Sequence, residues 1–210
     1  MPGLHDESSG TVVAFSGHLP DAPNRETPRF PVTNEREVAQ SIAGALNGWN
    51  IGPGDHCLCG GARGGDVIFA EACLAVGAQV ELLLALPPRE FIARSVAEHG
   101  TDWEERFRAV ARRSTIRQLD LEDANDHTRA HPFGVLNAWL LDEAVTRAAP
   151  NSPHILVLWD GYPSEPGRPG TGDFAQRAID AGTQVRVIDP LNPTGSIEAI
   201  VTCQFRIDNQ

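Results

Sequence analysis

The sequence predicts an α/β protein: a single Rossmann-like, three-layer domain with a mostly parallel sheet of five to seven strands and helices on both faces. Three observations carry that expectation. Short, continuous apolar runs alternate with segments of helical period, which is the pattern of βαβ units. The runs lack polar alternation, as strands buried on both faces do. A glycine-rich turn joins one run to a helix in the stretch His56-Cys-Leu-Cys-Gly-Gly-Ala-Arg-Gly-Gly-Asp66.

Taken in order, residues 1–10 are polar and read as a flexible tail. Thr11 to Phe15 is the first strand, running into Ser16-Gly17-His18. Leu19 to Thr33 holds four prolines and reads as a loop. Asn34, with Glu37 three residues on, has the form of an N-cap. Val38, Ile42, Leu46 and Trp49 follow it at helical spacing. His56 to Cys59 is the second strand, and a helix begins near Asp66 and stops at Gly77. Val67, Phe69, Ala70, Cys73 and Leu74 form its inward face. Gln79 to Leu86 is a third strand, broken by Pro87-Pro88.

Helices over Arg89–Glu98 and Trp103–Arg113 come next, with their acids and arginines reading as a solvated face. Thr115 to Leu119 is a weaker strand, and Glu122 to Pro132 a polar loop. Val135 to Val145 is a helix, Ile155 to Trp159 a fully apolar strand, Phe174 to Ala181 a helix closed by Gly182, and Gln184 to Ile188 a strand. The domain therefore spans residues 11–190. Residues 191–210 form an extension, with an edge strand expected over Ala199–Phe205.

Charge narrows the function. The 210 residues carry a formal net charge of −11, which argues against a nucleic-acid-binding surface. All 17 basic residues are arginine. Without lysine there is no Walker-type phosphate loop and no Schiff base. The four cysteines (57, 59, 73 and 203) make no CxxC pair or zinc spacing. Cys57 and Cys59, on one strand face, read as small buried residues. With no apolar run of signal or membrane-span length, the expected setting is cytoplasmic, with no membrane partner.

Four glycines in six residues allow a sharp turn and close ligand approach, and the turn ends at a helix N-terminus that favours an anion. Arg63 adds a guanidinium suited to phosphate; the bland alternative pairs it with Asp66 or Glu71. Asp66 either caps the helix or meets a ribose hydroxyl. Glu71 reads as solvent-facing.

His18 follows a strand end, where it either contacts base or phosphate or serves structure. Asp160 either orients a ribose or activates water, or is simply the first residue of an Asp–Gly turn. Asp173 is a candidate general base or a cap for its own helix. His127 and His131, near Asp123 and Asp126, allow a metal only if that segment is helical, so no metal is expected. Trp139 and Trp159 either stack on a base or pack; Trp159 lies inside an apolar strand and reads as core. Three strand ends thus carry unusual chemistry, and parallel sheets bind ligands at that edge.

The Gly60-Gly-Ala-Arg-Gly-Gly-Asp66 run, Val157-Leu-Trp-Asp-Gly161, the Pro169-Gly-Thr-Gly172 turn into a helix, and Asn137 with Trp139 on the preceding helix occur together in this order. In that order they resemble the SLOG superfamily of Rossmann-like domains, over roughly Val12 to Pro190. That group includes Lonely-guy phosphoribohydrolases and the DNA-processing protein A fold, and is similar to nucleoside deoxyribosyltransferases. The resemblance implies a nucleotide or ADP-ribose-like ligand, with phosphate at Arg63, Gly64 and Gly65 and a second phosphate or ribose at Thr171 and Gly172. Ser16, Gly17, His18, Gly61, Asp66, Asp160, Gly161 and Gly170 complete the expected site.

Family hydrolases carry Gly-Thr-x-x-Glu, whose Glu works at the glycosidic carbon. Here Phe174 stands at that position, and Asp173 sits one residue early, turned by about 100° on the helix. Binding by a sensor or carrier is therefore the leading expectation. The alternative is an N-glycosidase acting on a nucleoside monophosphate or NAD-like nucleotide, with Asp173 or Asp160 as the catalytic carboxylate. The partner expected is a small-molecule nucleotide, with no cofactor, and the resemblance suggests a homodimer.

Overall fold

The computed structural model describes residues 10–120, 126, 130–164 and 169–195. The N-terminal tail up to residue 9, most of the loop at 122–132 with Asp123 and His127, and the edge strand expected at 199–205 lie outside the described residues.

The strands are β1 (Val12–Gly17), β2 (His56–Cys59), β3 (Gln79–Leu84), β4 (Thr115–Gln118), β5 (His154–Leu158) and β6 (Val185–Ile188). The helices are α1 (Glu35–Gly48), α2 (Gly65–Ala75), α3 (Pro88–Phe91), α4 (Trp103–Ala111), α5 (Pro132–Ala148) and α6 (Thr171–Asp180). Among the described residues the strands form one sheet, in the order β4-β3-β2-β1-β5-β6. Every pairing is parallel. The chain winds outward from β1 to β4, returns beside β1 as β5, and finishes at β6. This is a doubly wound order with four strands on one side of the reversal and two on the other.

Helices α1, α2 and α4 pack in a row on one face, while α5 and α6 pack together on the other. Both faces of the central strands are therefore dry. Val13, Ala14, Phe15, Leu58, Ile155, Leu156 and Val157 are completely buried, which is why these segments read as unbroken apolar runs. Phe15 stacks on Phe69 of α2 at 4.6 Å, joining sheet to helix. Cys57, Cys59 and Cys73 are buried in the same layer.

Three local expectations are corrected. Asn34 makes no cap: a 3₁₀ turn, Val32–Asn34, leads into α1, and the Asn34 amide donates instead to the Pro190 carbonyl at 2.9 Å. The helix expected over Arg89–Glu98 is α3 followed by a π-helical turn, Ile92–Val96, that ends two residues early. The charges of α4 are not all solvated. Arg106 donates to Glu71 at 2.7 and 2.9 Å and to Glu35 at 2.7 Å, and lies over the Trp103 ring. It ties α1, α2 and α4 together, so Glu71 is a structural partner.

On the opposite face Glu81, Arg117, Glu143 and Arg147 link β3, β4 and α5. Trp139 belongs to this network: its indole N–H donates to Glu143, and Arg117 stacks on its ring. Among the described residues no helix is long and apolar enough to cross a membrane.

Candidate functional site at the strand switch point

In a sheet of this order ligands bind where the strand order reverses, which here is between β1 and β5. Register sets Gly17 beside Leu158, and the His18 N–H donates to the Leu158 carbonyl at 3.1 Å. His18 and Asp160 therefore leave the sheet side by side, with Nε2 3.1 Å from Oδ1. Both are buried.

A third residue completes this group, and it comes from the proline-rich loop. Arg29 Nε donates to Asp160 Oδ2 at 2.6 Å, and its Nη2 lies 3.4 Å from Oδ1 and 3.1 Å from His18 Nε2. The loop is closed on itself to present this side chain. Asp21 accepts the N–H groups of Arg29 and Phe30, and the Asp21 N–H donates to the Phe30 carbonyl.

Burial would push the Asp160 carboxyl up, but the polar contacts of His18, Arg29 and the Tyr162 N–H outweigh it and hold the group well below the usual carboxylate range. For His18, burial lowers the imidazole below its ordinary value against the opposing pull of Asp160. Nε2 lies within reach of the Asp160 N–H, of Arg29 Nη2 and of Asp160 Oδ1, and its role as donor or acceptor depends on the tautomer. Asp160 also accepts the N–H of Tyr162, two residues on, closing an Asx-turn through Gly161 at φ +84°. The Asp–Gly turn and the charged site are thus one feature.

Beside this group lies the glycine turn. A Cβ on Gly65 would stand 2.8 Å from the Gly17 Cα, so the end of β1 and the start of α2 touch backbone to backbone. Gly61 and Gly64 take φ of +77° and +82°, which favour glycine. Asp66 is folded under the turn. Its Oδ1 accepts the Gly17 N–H at 3.0 Å and its Oδ2 the Ala62 N–H at 3.2 Å. Burial raises its pKa to about 7 despite those donors. It is a clamp between two strand ends, with its oxygens directed at backbone rather than outward.

The turn's donors are largely engaged. The Arg63 N–H donates to the Ser95 carbonyl, and the Gly65 N–H, expected to meet phosphate, donates to the His18 carbonyl at 3.1 Å. Pro20 Cδ lies only 2.5 Å from where a Gly64 Cβ would be. Arg63 pairs with neither Asp66 nor Glu71, both of which are taken; its Nε lies 3.5 Å from Glu98 Oε2. That nitrogen is buried and lacks hydrogen-bond geometry to any described partner.

The third stretch approaches through α6. Ser164 Oγ accepts the Asp173 N–H at 3.0 Å and the Gly170 N–H at 3.3 Å, so this side chain caps the helix. A Cβ on Gly172 would meet Ser164 and Tyr162 atoms at 3.0–3.2 Å, so glycine lets the loop close over the helix start. Thr171 is buried at the first turn. Asp173 is not the cap. Its Oδ2 accepts from Asn137 at 2.8 Å and from Arg177 at 2.9 Å. Phe174, at the position of the family's Glu, is completely buried. Trp159 is core, its indole N–H donating to the Tyr162 carbonyl.

Ser16, Gly17, His18, Gly64, Gly65, Asp66, Asp160 and Gly161 thus lie together at the carboxyl ends of β1 and β5. Arg29 was missed by sequence reasoning. The signal available was an arginine in a proline-stiffened loop directly after the switch-point strand.

No protein-family model matches the chain, and no curated protein does. Among solved structures, the chain is similar to DNA processing protein A from Streptococcus pneumoniae, with a TM-score of 0.51 and 14% identity, over 91% of this chain and 53% of that one. It spans about half the length of that protein. It is also similar to TM1055, a structural genomics target, with a TM-score of 0.43 and 16% identity, over 83% of this chain and 72% of that one. At this identity the likeness to DNA processing protein A concerns architecture alone, and it agrees with the sheet order above in showing a Rossmann-like α/β fold.

Proposed function

We propose that the crevice between β1 and β5 binds a phosphorylated nucleotide or ADP-ribose-like small molecule, and that the protein serves as its sensor or carrier. The observation that carries this reading is the meeting of His18, Arg29 and Asp160 at the switch point, with the Gly17–Gly65 contact beside them. That is where a doubly wound sheet offers polar groups to a ligand. Arg63, beside the glycine turn and 3.5 Å from Glu98, is a second guanidinium near this edge.

The state of Asp160 favours binding over hydrolysis. A general base needs an oxygen free to take a proton from water. Asp160 is held below the carboxylate range and occupied by Arg29 and the Tyr162 N–H. Asp173 holds Asn137 and Arg177 through Oδ2 alone. The N-glycosidase alternative therefore falls to Asp173, through Oδ1.

The test is incubation with nucleoside monophosphates, NAD and ADP-ribose, followed by chromatography of the solution and of whatever the protein retains. Retention of an intact nucleotide is the expected result. Free base that accumulates with protein and is lost in Asp173→Asn or Asp160→Asn would replace the sensor with a glycosidase.

A further inference from the structure

The glycine turns were expected to supply the phosphate donors, and the chain itself occupies several N–H groups there, that of Gly65 among them. At α2 the Ala62 N–H is held by Asp66, the Arg63 N–H by Ser95, and the Gly65 N–H by the His18 carbonyl. At α6 the Gly170 and Asp173 N–H groups are held by Ser164. Fewer backbone donors are left to an anion there, and a side-chain donor would add to them.

Arg29 has the right form. Its side chain is 34% exposed, while the carboxylate that holds it is 2% exposed. Nε and Nη2 face Asp160 and His18, and Nη1 has no hydrogen-bond partner among the described residues. A guanidinium is a rigid fork, so fixing one edge also fixes the direction of the other. The rotamer entropy that a free arginine would lose on binding is already spent by the buried contact.

We infer that Arg29, held in place by Asp160 and His18, is the residue that grips the phosphoryl group of the ligand. Asp160 is then a positioning residue rather than a base or a ribose contact, and His18 packs against the same guanidinium. This rests on the nucleotide-binding reading for the identity of the ligand. The anion contact itself does not depend on which base is attached.

The experiment is calorimetric titration of wild type, Arg29→Gln, Arg29→Lys and Asp160→Asn with AMP, ADP-ribose, adenosine and inorganic pyrophosphate. An unfolding curve for each variant establishes that it is folded. The double variant Arg29→Gln/Asp160→Asn removes the buried charge together with its partner, and so serves if Arg29→Gln alone fails to fold. Wild type is expected to prefer AMP to adenosine by tenfold or more. Arg29→Gln should abolish that preference and lose pyrophosphate, with adenosine little changed. Asp160→Asn should weaken AMP several-fold although Arg29 is present, and Arg29→Lys should recover only part of the loss.

An AMP preference that survives Arg29→Gln overturns the inference and leaves the nucleotide reading standing. Pyrophosphate binding that needs Arg29, in a protein that takes no nucleotide, supports the inference and removes the nucleotide reading. No binding of any probe by wild type overturns both.

Discussion

Gly17 and Gly65 face each other so closely that a Cβ on either would lie 2.8 Å from the other's Cα. Sheet and helix approach without side chains between them, and that closeness brings the His18 carbonyl onto the Gly65 N–H. Gly17→Ala would also push into the Phe15 ring. It is expected to destabilise the fold by about 1–3 kcal/mol, as overpacking does. Gly44→Ala, on the exposed part of α1 with open space around it, is expected to stabilise by about 0.5–1 kcal/mol. Denaturant unfolding of the two variants measures the contrast.

Asp66 gives the fold a specific pH dependence. Its pKa rises from 3.8 to about 7 on folding. Between those values the folded state binds more protons than the unfolded state, so this group's contribution to stability falls as pH rises through that window and is level above it. Asp66→Asn cannot ionise, and its single carbonyl oxygen serves only one of the two backbone donors. The stability of wild type relative to Asp66→Asn should therefore be greater at pH 5 than at pH 7.5. Parallel stability curves across that range would contradict the assignment.

Much of this architecture was legible because its causes are local. A strand buried on both faces must be apolar throughout, and His56–Cys59 and Ile155–Leu158 advertised themselves that way. The glycines at 61 and 64 were visible because the turn needs positive φ. What escaped has a different origin. The Arg29–Asp160 pair spans 131 residues and leaves no periodic trace. Asp66 occupies a helix start, where a cap is the usual reading; only the neighbouring end of β1, brought in by tertiary packing, turns it into a clamp. Ser164 caps α6 from six residues before Gly170, outside the usual sequence spacing of a cap.

Phe174 decides how far the enzymes' Glu pattern can be carried over. Its side chain is wholly inside the core. Restoring the pattern by Phe174→Glu should therefore unfold or strongly destabilise the protein, by removing a buried ring and placing a carboxyl in the core. No glycosidase activity should appear. A folded Phe174→Glu variant that releases base from AMP would reverse this view of the site.

Arg106 tests the helical layer independently of the crevice. Arg106→Ala leaves Glu35 and Glu71 without their shared partner and uncovers Trp103. The carboxylates are partly solvated, so the loss should be modest, about 1–2 kcal/mol. Unfolding midpoints in low and high salt check this, with a smaller difference expected in high salt.

The central claim is that ligand binding occurs at the carboxyl ends of β1 and β5. The most direct measurement is a backbone amide chemical-shift titration with AMP and ADP-ribose. The account predicts saturable shifts at Gly17, His18, Arg29, Gly65, Asp160 and Tyr162. Shifts confined to the opposite end of the sheet, where His56, Gln79, Thr115 and Arg147 line a small cavity of about 30 Å³, would contradict it.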